Sequence, residues 1–191
     1  DEGLRTATIQ IHNSLLLLSR TPMTPRYSDS RVGYFSRGQY DYGLDDAQRA
    51  VKTYYINRWK LEPSDPEAYF AGKTVDPVKP IVYYLSPSIP KKWTKYFKEG
   101  VEDWQKAFSA AGFSNAIFAK PVPTEEEDPD FDQLDARYSM IEYFPSYLEN
   151  SYGPAVVDPR SGEIINSHVC IYHNAMKLLH DWYMIQCGQV D

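Results

Sequence analysis

Cysteine is nearly absent. Cys170 and Cys187 are the only two in 191 residues, too few for a disulfide framework, and neither stands in a CxxC metal pattern. Histidine is almost as sparse, with His12, His168, His173 and His180, and no His-Glu pair opens an HExxH helix. There is no GxSxG elbow, no Walker loop, no GxGxxG and no Cys-His nucleophile pair with a recognisable local signature, so no complete catalytic constellation can be assembled. Basic charge is in deficit: 20 Lys and Arg against 26 Asp and Glu give a net charge of −6, with no basic stripe to neutralise a phosphate backbone. Nucleic acid is therefore excluded as the expected partner. The longest purely apolar run, Leu15 to Leu18, is far short of the roughly 20 residues a membrane helix needs, so no bilayer span is expected. Asp1-Glu2-Gly3 is not a signal peptide, which leaves a chain that is cytosolic, already processed, or cut from something larger.

What is present suits a packed core. Hydrophobic residues make up 42% of the chain and tyrosines number 16, enough for one domain or for one domain plus part of another. The stretch from Tyr152 to His173 reads as an antiparallel β-hairpin. Ala155-Val156-Val157 is a short apolar arm, Asp158-Pro159-Arg160-Ser161-Gly162 carries the turn chemistry, and Glu163 to Tyr172 returns with Ile165, Val169 and Ile171. Gly162 is placed where positive φ is needed. Pro154 and Pro159 bracket the first arm and cannot donate to a ladder, which assigns that arm to a sheet edge. Such an edge is either an ordinary hairpin border or a template on which an extended peptide adds a strand.

Toward the N-terminus the pattern is weaker. Ala7 to Leu18 opens as a strand with Ile9 and Ile11 alternating against polar neighbours; having no hairpin partner nearby, it is expected to pair with residues outside this sequence, and Val32-Gly33-Tyr34-Phe35 is a second short strand. Asp45-Asp46 suits the cap of a helical turn through Ala47 and Val51, and Tyr54 to Leu61 reads as a strand. Ser64 to Pro80, with prolines at 66, 77 and 80, is a connector. Ile81-Val82-Tyr83-Tyr84-Leu85 is a continuous apolar run, as in a strand buried on both faces.

One long helix follows. It starts at Ser88-Ile89-Pro90, ends at Gly112, and carries Trp93, Tyr96, Phe97, Val101, Trp104, Phe108 and Ala111 at steps of three and four. That aromatic stripe is expected to be core. Gly100 within it points to a close backbone approach. Strands are expected around Ala116 to Ala119 and over Ala136 to Phe144, with a final helix from Met176 to Gln186. The acidic segment from Thr124 to Asp135 lacks the glycine and glutamate of an EF-hand, since Gln133 and Ser139 stand at those positions, and reads as a solvated loop. His168 and His173 are five apart, so they fall on opposite faces of a strand, and all four histidines read as polar residues at element ends.

Six segments in this order carry a resemblance: PRYSDSRVGYF, INRWKLEP, PIVYYLSPSIPKKW, GVEDWQKAFSAAGF, DPDFDQLDARYSMIEYF and YGPAVVDPRSGEI. From about Pro22 onward the chain resembles a family of large bacterial cell-envelope and secreted zinc metallopeptidases with a metzincin-like catalytic domain. The resemblance implies an α+β fold, a twisted mixed sheet with one long packed helix and an antiparallel edge hairpin, forming the N-terminal subdomain of a zincin-like fold. Three regions are expected: 1–30, from its unpartnered strand, as the tail of an upstream β-rich region, 31–79 as lead-in strands and connector, and, as the resemblance implies, 80–191 as the substrate-rim half of the peptidase domain. Gly153, Pro154, Ala155 and Val156 would be the rim that aligns an extended peptide or protein substrate.

The family's zinc helix and its third histidine have no counterpart here, so neither catalytic nor metal-ligating residues carry over. The expectation is an N-terminal portion of a secreted, periplasmic or envelope enzyme. It would bind no zinc itself and would be inactive alone, its zinc and catalytic helix lying in the remainder of its own polypeptide. The alternative is a non-catalytic cell-surface module that binds peptide or glycan.

Overall fold

The computed structural model describes residues 7–43, 46 and 48–188. In chain order the elements are β1 (Ser36–Asp41), β2 (Val51–Ile56), α1 (Pro66–Phe70), β3 (Ile81–Leu85), α2 (Lys91–Glu102), α3 (Gln105–Ala110), β4 (Ile117–Pro121), β5 (Ser139–Phe144), β6 (Ser151–Tyr152), β7 (Ala155–Val157), β8 (Ile164–Tyr172) and α4 (Ala175–Cys187). The fold is α+β. A two-stranded antiparallel sheet, β1-β2, accompanies a mixed sheet ordered β4-β3-β5-β8-β6, with β7 also paired to β8.

The apolar run of β3 becomes a central strand because it meets β4 on one side and β5 on the other, both parallel. β8 continues the parallel order beside β5 and then accepts β6 and β7 antiparallel on its other side. Side-chain alternation divides the sheet into two faces. On one face Leu85, Ile89, Ala119, Ile141 and Tyr143 form the core, joined by Trp93, Phe97 and Val101 of α2 and by Val169 and Ile171 of β8. On the other, Met140 is fully buried. There Tyr84, Phe131 and Tyr138 stack with ring centroids 4.4–5.6 Å apart. The Tyr138 hydroxyl donates to Asp128 at 3.1 Å, which ties the acidic loop to the sheet.

The turn of the edge hairpin joins the N-terminal region to this sheet. The Asp158 carbonyl accepts from Ser161 and Gly162 amides, and Gly162 takes φ +76°, as its position in the sequence requires. Glycine is also required for space, since a Cβ there would lie 2.2 Å from the Ile56 carbonyl oxygen. Arg58 donates its amide to Gly162 O and accepts from Ile164 N, each at 2.9 Å, so the chain leaving β2 runs along the start of β8. Arg160 donates from Nε and Nη2 to the buried Asp158 carboxylate and also from Nη2 to Ser19 O at 2.8 Å.

Several expectations are corrected. Residues 7–18 form no strand; Leu15 and Leu17 are fully exposed, and among the described residues no partner strand pairs with them to supply a ladder. The strand expected at Val32–Phe35 is displaced to Ser36–Asp41, where β2 provides antiparallel partners. In the expected strand Tyr54–Leu61 only the first part is β2, and the connector contains α1, whose N-cap Asp65 accepts from Ala68 N at 3.0 Å. The proposed cap and turn at Asp45 and Ala47 lie outside the described residues. The long helix is bent into α2 and α3 at Asp103-Trp104, where Trp104 N and Lys106 N turn to i−3 carbonyls at 3.3 Å. Gly100 has open space around it, so no close backbone approach explains it.

Two outcomes follow from the hairpin tip. Gly162→Ala is expected to destabilise the fold by about 1–3 kcal/mol from the backbone conformation alone, read from the urea midpoint. Asp158 is held below the ordinary carboxylate range chiefly by the Arg160 side chain, which outweighs the opposing effect of burial and is helped by the Arg160 amide. Its contribution is complete above about pH 4, the unfolded value, and is lost as pH falls through the depressed folded value. Asp158→Asn should therefore flatten part of the acid limb of a stability-against-pH curve.

Candidate functional site

Gly153, Pro154, Ala155 and Val156 all lie at the exposed outer border of the mixed sheet. β6 and β7 run along the same side of β8 as one strand interrupted by Gly153-Pro154. The interruption follows from proline chemistry, because Pro154 lacks an N–H, yet its carbonyl accepts from His168 N at 3.0 Å. Groups facing β8 alternate along an antiparallel pair. Pro154 and Val156 thus face inward, with Val156 opposite Asn166, and the N–H and C=O of Ala155 point away from the sheet. Among the described residues no backbone group bonds to that outer side. A register shift between Val156 and Val157 ends the regular edge before the turn.

Beside this edge lies a cleft of about 400 Å³. Gly153 and Ala155 line it together with the segment Gly33 to Ser36 and with Trp59, Tyr83 and Ser167. Tyr34 and Phe35 are exposed at its mouth. The four residues expected as a substrate rim are thus contiguous in space and accessible, with apolar and aromatic surface next to them.

A larger apolar groove of about 890 Å³ opens between the bent helix and the sheet, lined by Phe97, Val101, Trp104, Ile141, Val169 and Ile171 among others. The aromatic stripe was expected to be core; instead Trp93, Phe97 and Val101 are half-buried, and Tyr96 and Trp104 are each 64% exposed. The physical reason is that the stripe is wider than the sheet surface facing it. α4 adds to the uncovered apolar surface, with Leu179, Trp182, Tyr183, Met184 and Ile185 exposed and only Ala175 buried.

The zinc set implied by the resemblance was tested against the four histidines. They do not converge. His12 and His180 are exposed, and His173 sits on the core face, where its Nδ1 meets the Tyr143 hydroxyl and its ring lies 5.8 Å from Trp93. His168 is on the opposite face. Among the described residues the four histidines do not fit a three-histidine zinc centre.

His168 nevertheless stands in a cluster that sequence reading missed. Among the described residues Glu142, His168 and Cys170 are the one group of three or more potential metal ligands whose donor atoms lie within 4.8 Å of one another. Parallel pairing of β5 and β8 sets Glu142 opposite Cys170 and Met140 opposite His168, and alternation turns all three ligand side chains to one face. Only the β5–β8 register could have revealed this. Both cysteines are free, Cys170 buried and Cys187 exposed.

Comparison with known proteins adds one match. A family model described as a domain of unknown function (DUF5117) matches residues 2–64, about a third of the chain, taking in β1 and β2 but none of the mixed sheet. No curated protein and no solved structure matches. No helix among the described residues is long and apolar enough to cross a membrane.

The groove should bind a polarity-sensitive dye such as anilinonaphthalene sulfonate in the native state. Trp104→Ser, at the exposed mouth, is expected to lower dye affinity several-fold while moving stability by no more than about 0.5 kcal/mol. Unchanged dye affinity would place the bound probe on α4 instead.

Proposed function

We propose that the outer edge of β7 docks an extended peptide by main-chain pairing, with Gly153, Pro154, Ala155 and Val156 as its rim. The observation that carries this reading is the outward, unbonded N–H and C=O of Ala155 beside an accessible cleft. An edge of this kind supplies directional backbone bonds that do not depend on ligand sequence, and the adjoining cleft supplies contacts for alternate side chains. Tyr34 and Phe35 offer such contacts at the mouth.

Following the resemblance, this docking edge is the substrate rim of a secreted, periplasmic or envelope zinc endopeptidase. The zinc and the catalytic helix belong to the remainder of the same polypeptide. The open groove is assigned to that remainder, because an apolar face of this size is normally covered. The residues described here position substrate and perform no bond cleavage. A non-catalytic peptide- or glycan-binding module is the second reading, favoured by the exposed tyrosines beside the edge, Tyr34 in the cleft and Tyr152 next to Gly153.

The edge reading is tested by short unstructured peptides of randomised sequence, with affinity read by fluorescence anisotropy. Ala155→Pro removes the outward N–H without touching a donor to β8, and one lost hydrogen bond predicts a weakening of roughly two- to tenfold at unchanged urea midpoint. Peptide affinity equal to that of the unsubstituted chain, in a folded variant, would overturn the docking edge. Retained glycan binding with no peptide binding would favour the second reading.

A further inference from the structure

The cluster of Glu142, His168 and Cys170 lies on the face of the sheet opposite the core, and none of its members lines the β7 cleft or the apolar groove. Its composition is unusual for a bland surface. Cys170 is 5% exposed and free, and the Glu142 and His168 side chains are 19% and 28% exposed, so the donor atoms face a partly enclosed space. His168 Nε2 approaches Glu142 Oε2 to 2.8 Å. The approach is misaligned for a hydrogen bond, and Nε2 is buried without a hydrogen-bond partner. A nitrogen of this kind is costly to leave unpaired. A glutamate and a thiol within reach of it make a shared ligand a physical remedy.

We propose that Glu142, His168 and Cys170 form a binding site for a borderline-soft divalent transition ion of the zinc class. One carboxylate oxygen, one imidazole nitrogen and one thiolate match that ion's preferences, whereas magnesium and calcium prefer all-oxygen sites. Bond lengths of about 2.0–2.3 Å in a tetrahedron require donors roughly 3.3–3.6 Å apart. The donors lie between 2.8 Å and 4.8 Å of one another, so rotamer adjustments that part Glu142 from His168 by about half an ångström and draw Cys170 in by up to about 1.2 Å bring all three into range. The fourth position goes to water or to the Tyr152 hydroxyl. Tyr152 is β6's contribution to this face: antiparallel pairing sets it directly opposite Cys170, with its ring 5.8 Å from that of Tyr172.

Binding converts the Cys170 S–H to a thiolate, the proton leaving to solvent as the metal–sulfur bond forms, and no electron is transferred. The site would link three strands, β5, β8 and β6, behind the docking edge. This inference does not rest on the peptide-docking reading, since it concerns different residues on a different face.

The test is a cobalt titration of the full chain carrying Cys187→Ser, so that only one thiol remains, followed by zinc displacement. The expected result is a thiolate-to-cobalt charge-transfer band saturating at one ion per chain, abolished by zinc. It should be absent in Cys170→Ser and weakened at least tenfold in His168→Gln and Glu142→Gln. Apo far-ultraviolet circular dichroism checks that each variant folds, and His168→Gln keeps the test decisive should Cys170→Ser not fold. Absence of the band, or a band that survives both His168→Gln and Glu142→Gln at full affinity, would overturn the site.

Discussion

β8 is the constraint on which the rest depends. Among the described residues it is the one strand paired parallel on one side and antiparallel on the other, and its first residues also carry the chain leaving β2. Each of its faces is committed to a different task by the two-residue period. Val169 and Ile171 join the apolar core under α2, while His168 and Cys170 meet Glu142 on the opposite side. A one-residue slip of register would send the aliphatic residues to the polar face and the histidine into the core.

The turn from Asp158 to Gly162 fixes that register. Gly162 combines positive φ with an approach too close for any side chain, and Asp158 and Arg160 satisfy one another while Arg160 reaches the N-terminal segment at Ser19. A buried aspartate of this kind stabilises only because its partner is held in place, and removing the arginine would leave a charge uncompensated. The tip thus does two things at once. It closes the edge hairpin, and it ties the region matched by the DUF5117 model to the mixed sheet.

Much of this was legible in the residues and some was not. The run from Ile81 to Leu85 bounded by prolines reads directly as a central strand, and Pro154 with Gly162 reads as an edge arm and a tight turn, because each residue restricts the backbone locally. The bend at Asp103-Trp104 did not follow from the stripe, since periodicity reports a face and says nothing of whether the ladder stays α-helical. Ala7 to Leu18 alternates like a strand but has no partner among the described residues, and alternation alone supplies no hydrogen bonds. The openness of the stripe was also hidden, because the sequence does not say how much sheet stands opposite. Glu142 and His168 meet only through a parallel pairing that no local pattern encodes.

The central claim is that an extended peptide pairs with the outer side of Ala155. Residue-resolved amide hydrogen exchange, with and without bound peptide, tests it most directly. The account predicts slowed exchange at the Ala155 amide, with the inward Val156 amide protected in both states by its bond to β8. Protection confined to the helix residues around Trp93 to Trp104, with Ala155 unchanged, would contradict it and move peptide binding to the apolar groove.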